Sequence, residues 1–89
     1  MVEGSLAVSW SRPEHAAEWK RDFGLRLRSQ RLAKGMSQMQ LALAADIDPT
    51  YISAVEQGRR NVALVNINAL AATLRISPRE LLSPDVTAR

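Results

Sequence analysis

Cysteine is missing from this chain. Disulfides and thiolate metal sites are therefore excluded, and that usage fits a reducing compartment such as the cytoplasm. Histidine occurs once, as His15, near Glu14 and Glu18 on what reads as a single exposed helix turn. A lone surface histidine is the plain reading, so neither a metal site nor general-base chemistry is expected there. The chain also lacks a glycine-rich phosphate loop and a carboxylate pair beside a base. No catalytic residue, metal or cofactor is expected, and the chain does not read as an enzyme. Aromatic residues are few: two Trp, one Tyr and one Phe. No apolar run approaches the roughly 18 residues of a membrane span. The N-terminus has no basic-then-apolar signal pattern. No stretch has strand character strong enough to build a sheet, and there is no internal repeat.

What remains is short, basic and helical. Eighty-nine residues make one small domain with a modest core. The formal charge of +3 and pI of about 10.2 favour an anionic partner. The bases cluster: Lys20, Arg21, Arg26, Arg28, Arg31 and Lys34 stand within one stretch whose only acid is Asp22. By charge alone this stretch is equally a solvated helix face.

The chain is organised around residues 35–60, GMSQMQLALAADIDPTYISAVEQGRR. Ser37 followed by Gln40 has the spacing of a capping box. Leu41, Ala42 and Ala45 then share a helix face. Asp46 stands where the chain must turn. Asp48 can cap a second helix, with Pro49 in its first turn and Gly58 as a left-handed stop. Ile52 and Val55 mark that helix's inner face. A unit this short cannot bury itself, and the flanking sequence supplies helices to cover it.

Upstream, residues 1–11 form an N-terminal arm. Leu6, Val8 and Trp10 alternate, so it reads either as a short extended segment or as a tail that orders only with a partner. Ser11, Pro13 and Glu14 predict a helix start, and that helix runs to about Lys34 with Gly35 as its stop. Trp19, Phe23 and Leu27 predict its buried stripe. Gly24 costs this helix about 1 kcal/mol relative to Ala, a cost that a close helix contact explains. Downstream, Leu64, Ile67, Leu70, Ala71 and Leu74 predict a helix over about 63–75. Ser77, Pro78 and Glu80 open a last short one through about Ser83, carrying Leu81 and Leu82. Residues 84–89 form a C-terminal tail. The fold class is all-α: five helices over residues 12–83.

The register of Phe23-Gly24, Arg28, Arg31, Lys34-Gly35-Met36-Ser37-Gln38, Leu41-Ala42, Tyr51-Ile52-Ser53, Glu56, Gly58, Asn61, Leu64 and Leu70-Ala71 resembles the Cro/C1-type helix-turn-helix family of lambdoid phage repressors. The run from Asp48 to Ser53 and Arg60-Asn61 resemble in particular the small controller proteins of restriction–modification systems. The resemblance covers about two-thirds of the chain. It implies a five-helix bundle with the third helix, about 49–57, as the recognition helix. It further implies a transcriptional regulator that binds double-stranded DNA as a homodimer, on palindromic half-sites roughly 34–36 Å apart.

Carried onto this sequence, the resemblance puts Gln38 on a DNA phosphate beside the Ser37 cap, where helix N–H groups suit an anion. It pairs Arg31 with Glu56 in a buried ion pair, which removes Arg31 from the DNA contacts. The outward face at the start of the recognition helix, beside the cap Asp48, is expected to comprise Pro49, Thr50, Tyr51, Ser53 and Ala54. None of these is an Arg, Gln or Asn, the types that read base edges best. DNA shape and phosphate contacts are expected to carry more of the discrimination. Arg59, Arg60 and Asn61 then read as a phosphate clamp. Three positions depart from the family pattern. Pro49 replaces a common base reader, Asp46 the usual turn glycine, and Ala63 a Ser or Thr cap for which Asn61 or Asn66 would have to compensate. Val65, Ile67, Leu81, Leu82 and Val86 exceed what one small core needs, so Val65, Leu81, Leu82 and Val86 are expected at a dimer interface. No small-molecule effector is expected. The runner-up is the same fold used as an antitoxin or co-activator that holds a protein partner, with DNA binding secondary.

Overall fold

The computed structural model describes residues 15–83. Five helices follow one another: α1 (Ala16–Ala33), α2 (Gln38–Ala45), α3 (Pro49–Glu56), α4 (Leu64–Leu74) and α5 (Arg79–Leu82). Among the described residues there is no strand, and no helix is long and apolar enough to cross a membrane. The expected arm over 1–11, the Ser11-Pro13 helix start, Val86 and the tail lie outside the described residues.

Local chemistry explains the helix boundaries. The Ser37 Oγ accepts from the Gln40 backbone N–H at 3.0 Å, and the Ser37 N–H donates to Gln40 Oε1 at 2.7 Å, a reciprocal capping box. Asp48 Oδ1 accepts from the Thr50 N–H at 2.7 Å, with Pro49 opening α3 where no donor is needed. Before α5 the Ser77 N–H donates to Glu80 Oε2 at 3.0 Å, while the Ser77 Oγ accepts from the Arg79 N–H at 3.2 Å. Ala63 precedes α4 with no side-chain cap, so neither Asn61 nor Asn66 compensates.

The first four helices end alike. Gly35, Asp46, Gly58 and Arg75 take left-handed φ values of 70°, 59°, 76° and 59°. In each case the next N–H reaches the carbonyl five residues back: Met36 to Arg31, Ile47 to Ala42, Arg59 to Ala54, Ile76 to Ala71. This is the Schellman closure, and it satisfies carbonyls that the helix end leaves open. Two of the four sites do it without glycine, at the steric cost of a Cβ in that region.

α1 packs against α3 and α5, while α2 packs against α3 and α4. Leu27, Leu41, Ile52, Val55, Leu70, Leu74 and Leu81 are the largest fully buried side chains of a single core. Three apolar expectations need correction. Trp19 does not join the buried stripe: it is 42% exposed. It stands one turn ahead of Phe23, on the wall of an open groove of about 450 Å³ that Val62, Ile67 and Leu82 also line. Leu81 is not an interface residue but 0% exposed, because Arg26 Nε donates to its carbonyl at 2.6 Å and holds α5 down on α1. Ile67 is likewise buried in the protomer core. Val65 and Leu82 remain exposed, as does Leu64, the residue before Val65.

Candidate nucleic-acid interface

Between α2 and α3 the chain turns on Asp46 and Ile47, leaving two helices of eight residues each. The seat of α3 is set by its far end. A Cβ built on Gly24 would collide with the Val55 carbonyl oxygen and stand 2.7 Å from that of Glu56. The backbone of α1 therefore touches the last turn of α3 directly, and only glycine permits it.

The same end is fixed electrostatically. Arg31 Nε donates to Glu56 Oε2 at 2.7 Å and Arg31 Nη2 to Oε1 at 2.9 Å, a two-pronged pair with both side chains buried. A third guanidinium donor, Nη1, reaches the Met36 carbonyl at 2.8 Å. The Glu56 hydrogen bond holds the Arg31 guanidinium above its ordinary range, although burial pulls it down. Gln38 Nε2 donates to Glu56 Oε1 at 3.0 Å. The cluster thus joins α1, α2 and α3, and Gln38, expected on phosphate, spends one amide proton inside the protein. Its second amide proton is available to an anion.

The open end of α3 is different. Thr50 is exposed, and Pro49, Tyr51 and Ser53 are half-buried. Ala54 belongs to the other end. It is 8% exposed, because α1 and α2 enclose the last turn and the chain folds back over it, with the Arg59 N–H on the Ala54 carbonyl. Its expected outward methyl is therefore not presented. Asp48 is committed to its cap, and its negative charge is unsuited to phosphate. The Ser53 hydroxyl accepts from Gln57 Nε2 at 3.3 Å.

Beside that open end lies the 59–63 loop. The Tyr51 hydroxyl donates to the Asn61 carbonyl at 3.0 Å. The Arg60 guanidinium carbon lies 5.1 Å from the centroid of the Tyr51 ring, within cation–π range. Thr50, Tyr51, Arg60 and Asn66 share a shallow recess with Asp46 and Asp48. Arg59, Arg60 and Asn61 are all exposed. The expected DNA-facing set therefore divides. Thr50, Tyr51 and the loop form one surface, Ser37 and Gln38 form a second at the start of α2, and Ala54 leaves the set. Two contacts had no sequence signal: Gln38 with Glu56, and Tyr51 with Asn61. Both join residues from separate elements, so spacing along one helix does not reveal them. No group of three or more metal-ligating side chains occurs among the described residues.

Comparison with known proteins places this geometry. The family profile described as Helix-turn-helix matches residues 27–81. The chain is 46% identical over 61 residues to the control protein C.BamHI of Bacillus amyloliquefaciens, covering 67% of this chain and 75% of that protein. It is 44% identical over 62 residues to the control protein C.MunI of a Mycoplasma species, covering 68% and 84%. Among solved structures, the restriction–modification controller protein C.AhdI of Aeromonas hydrophila superposes with a TM-score of 0.69 at 53% identity, covering 70% of this chain and 94% of that one. With the Helix-turn-helix profile matched over residues 27–81 and relatives of this identity and coverage, the chain belongs to the Cro/C1-type, XRE-like helix-turn-helix family.

Proposed function

We propose that this protein is a sequence-specific transcriptional regulator of the controller or repressor type, and that it binds double-stranded DNA through α3. The observation that carries this reading is the open start of α3, with Thr50 exposed and the Arg59-Arg60-Asn61 loop tied beside it through Tyr51. A helix presented this way fits the major groove, with the basic loop on the backbone. Gln38 adds its remaining amide proton to a phosphate at the start of α2. Thr50 supplies a methyl and a hydroxyl to base edges. With no Arg, Gln or Asn on the exposed face of α3, groove shape and phosphate contacts supply much of the selectivity.

In this reading the protein acts in the cytoplasm as a homodimer on a palindromic operator, without a small-molecule effector. Val65 and Leu82, with Leu64, are among the exposed apolar side chains and supply the two-fold contact in this reading. The family is one of DNA-binding regulators rather than enzymes. The domain proper spans residues 12–83, with an arm before it and a tail after it.

Selection of bound duplex from a random pool tests the proposal. The expected product is a palindrome with half-sites about one helical turn apart, whose affinity falls by orders of magnitude between low and moderate salt. A pool that yields no preferred sequence, while binding stays salt-dependent, supports the second reading, a protein-holding antitoxin or co-activator. The small, neutral outward face of α3 is the observation that favours that alternative.

A further inference from the structure

Besides packing against the core, Tyr51 makes two contacts that reach consecutive residues of the loop proposed to grip the backbone. Its hydroxyl donates to the Asn61 carbonyl at 3.0 Å, and its ring lies under the Arg60 guanidinium at 5.1 Å. Tyr51 itself is anchored by its position in the first turn of α3, one residue before the fully buried Ile52. One rigid side chain therefore connects the recognition helix to both residues. This connection also changes what the phenol offers outward. Its single proton is used within the protein, so a phosphate oxygen approaching it meets lone pairs rather than a donor. A direct phosphate contact from Tyr51 is disfavoured. Arg60, by contrast, keeps a full positive charge and has donors left over, because stacking on a ring face uses none of its N–H groups.

We propose that Tyr51 is the positioning residue of the interface: it does not read DNA itself but seats Arg60 on its ring and Asn61 on its hydroxyl, so that the loop meets the backbone already ordered. The proposal rests on the DNA-binding reading above and deepens it. Its physical basis is entropic. A long arginine ordered only on binding gives up rotamer freedom at that moment, whereas one already seated has less to lose. The guanidinium over the ring is that of Arg60, while Arg59 beside it is exposed, so the two arginines of one loop should behave differently.

A double-mutant cycle on the duplex recovered from the random pool tests this, with affinity measured across a salt series for the wild type, Tyr51→Leu, Arg60→Gln and the double variant. Arg60→Gln should weaken binding and lower the salt slope by about 0.9, the value of one phosphate contact. Tyr51→Leu should weaken binding by roughly five- to tenfold with little change in slope, since Arg60 still reaches its phosphate but must be ordered on binding. The double variant should be little worse than either single one. Tyr51→Phe keeps the ring and loses the hydroxyl. It should leave the slope unchanged and weaken binding only a few-fold, and it serves as the second variant where Tyr51→Leu fails to fold. Thermal unfolding of each variant confirms the native state. Additive effects of Tyr51→Leu and Arg60→Gln would show that the tyrosine acts independently of Arg60 and would overturn the proposal, as would a Tyr51→Phe variant as weak as Arg60→Gln. Wild-type protein that prefers no duplex overturns the functional reading and this inference together; specific binding with an additive cycle overturns this inference alone.

Discussion

The two ends of α3 are built on opposite principles. Over its last turns, Ile52, Ala54, Val55 and Glu56 are buried, Gly24 admits the α1 backbone, and Arg31 locks the carboxylate. Over its first turn, Thr50 stands in solvent and Tyr51, half-buried against the core, sends its hydroxyl to a loop. Eight residues thus hold both a structural anchor and a reading surface. Stability should concentrate at one end and DNA affinity at the other, and substitutions can test how cleanly they separate.

The largest effect should come from the anchor. Glu56→Ala strands the buried Arg31 guanidinium and should cost roughly 3–5 kcal/mol in chemical unfolding; an unchanged midpoint would break the comparison at once. Because the folded-state pKa of Arg31 is raised, its share of that stability is fully present below the ordinary arginine value and is lost only as pH climbs past the raised one. This share should therefore stay flat from neutral to mildly alkaline pH. Gly24→Ala comes next. The added Cβ meets the Val55 and Glu56 carbonyls, so overpacking of about 1–3 kcal/mol should exceed the gain in helix propensity of about 1 kcal/mol. A more stable Gly24→Ala variant would show that α1 and α3 can move apart.

Smaller effects sharpen the boundary between the two ends. Asp48→Ala removes the cap on the Thr50 N–H and should cost about 1 kcal/mol in thermal unfolding, with the core intact. Ala63→Ser supplies the side-chain cap that α4 lacks and should raise stability by about 0.5–1 kcal/mol. Arg59→Gln should leave unfolding within about 0.5 kcal/mol of wild type, as for an exposed position. It should lower the salt slope of DNA binding by about 0.9.

The local parts of this architecture are legible in the chain itself. Ser37 with Gln40, Asp48 with Thr50, and Ser77 with Glu80 are contacts across two or three residues, so spacing alone reveals them. Gly24 is legible as an anomaly, a costly residue inside a helix, and its contact with α3 explains it. Helical spacing finds an apolar face but not the neighbour that covers it. Leu81 and Ile67 therefore read as surplus although the protomer core takes both, and Trp19 reads as core although it borders an open groove. Ala54 looks outward by its angle on α3, yet it is buried in the folded protomer. Arg75 has no intrinsic preference for a left-handed conformation, so nothing in its type announces the turn it makes. Gln38 bonding Glu56, and Tyr51 bonding Asn61, join elements distant in sequence, and tertiary structure alone brings them together.

The missing Cβ at Gly24 has a consequence for how this surface can diversify. The pose of α3 is dictated from behind, by a bare stretch of α1 and a clamped carboxylate, none of which faces the proposed ligand. Pro49 and Thr50 can therefore be exchanged without shifting the rod that carries them. Retargeting to a new operator becomes a matter of swapping a few outer side chains on a fixed mount, which makes this small scaffold a tractable starting point for reprogrammed recognition.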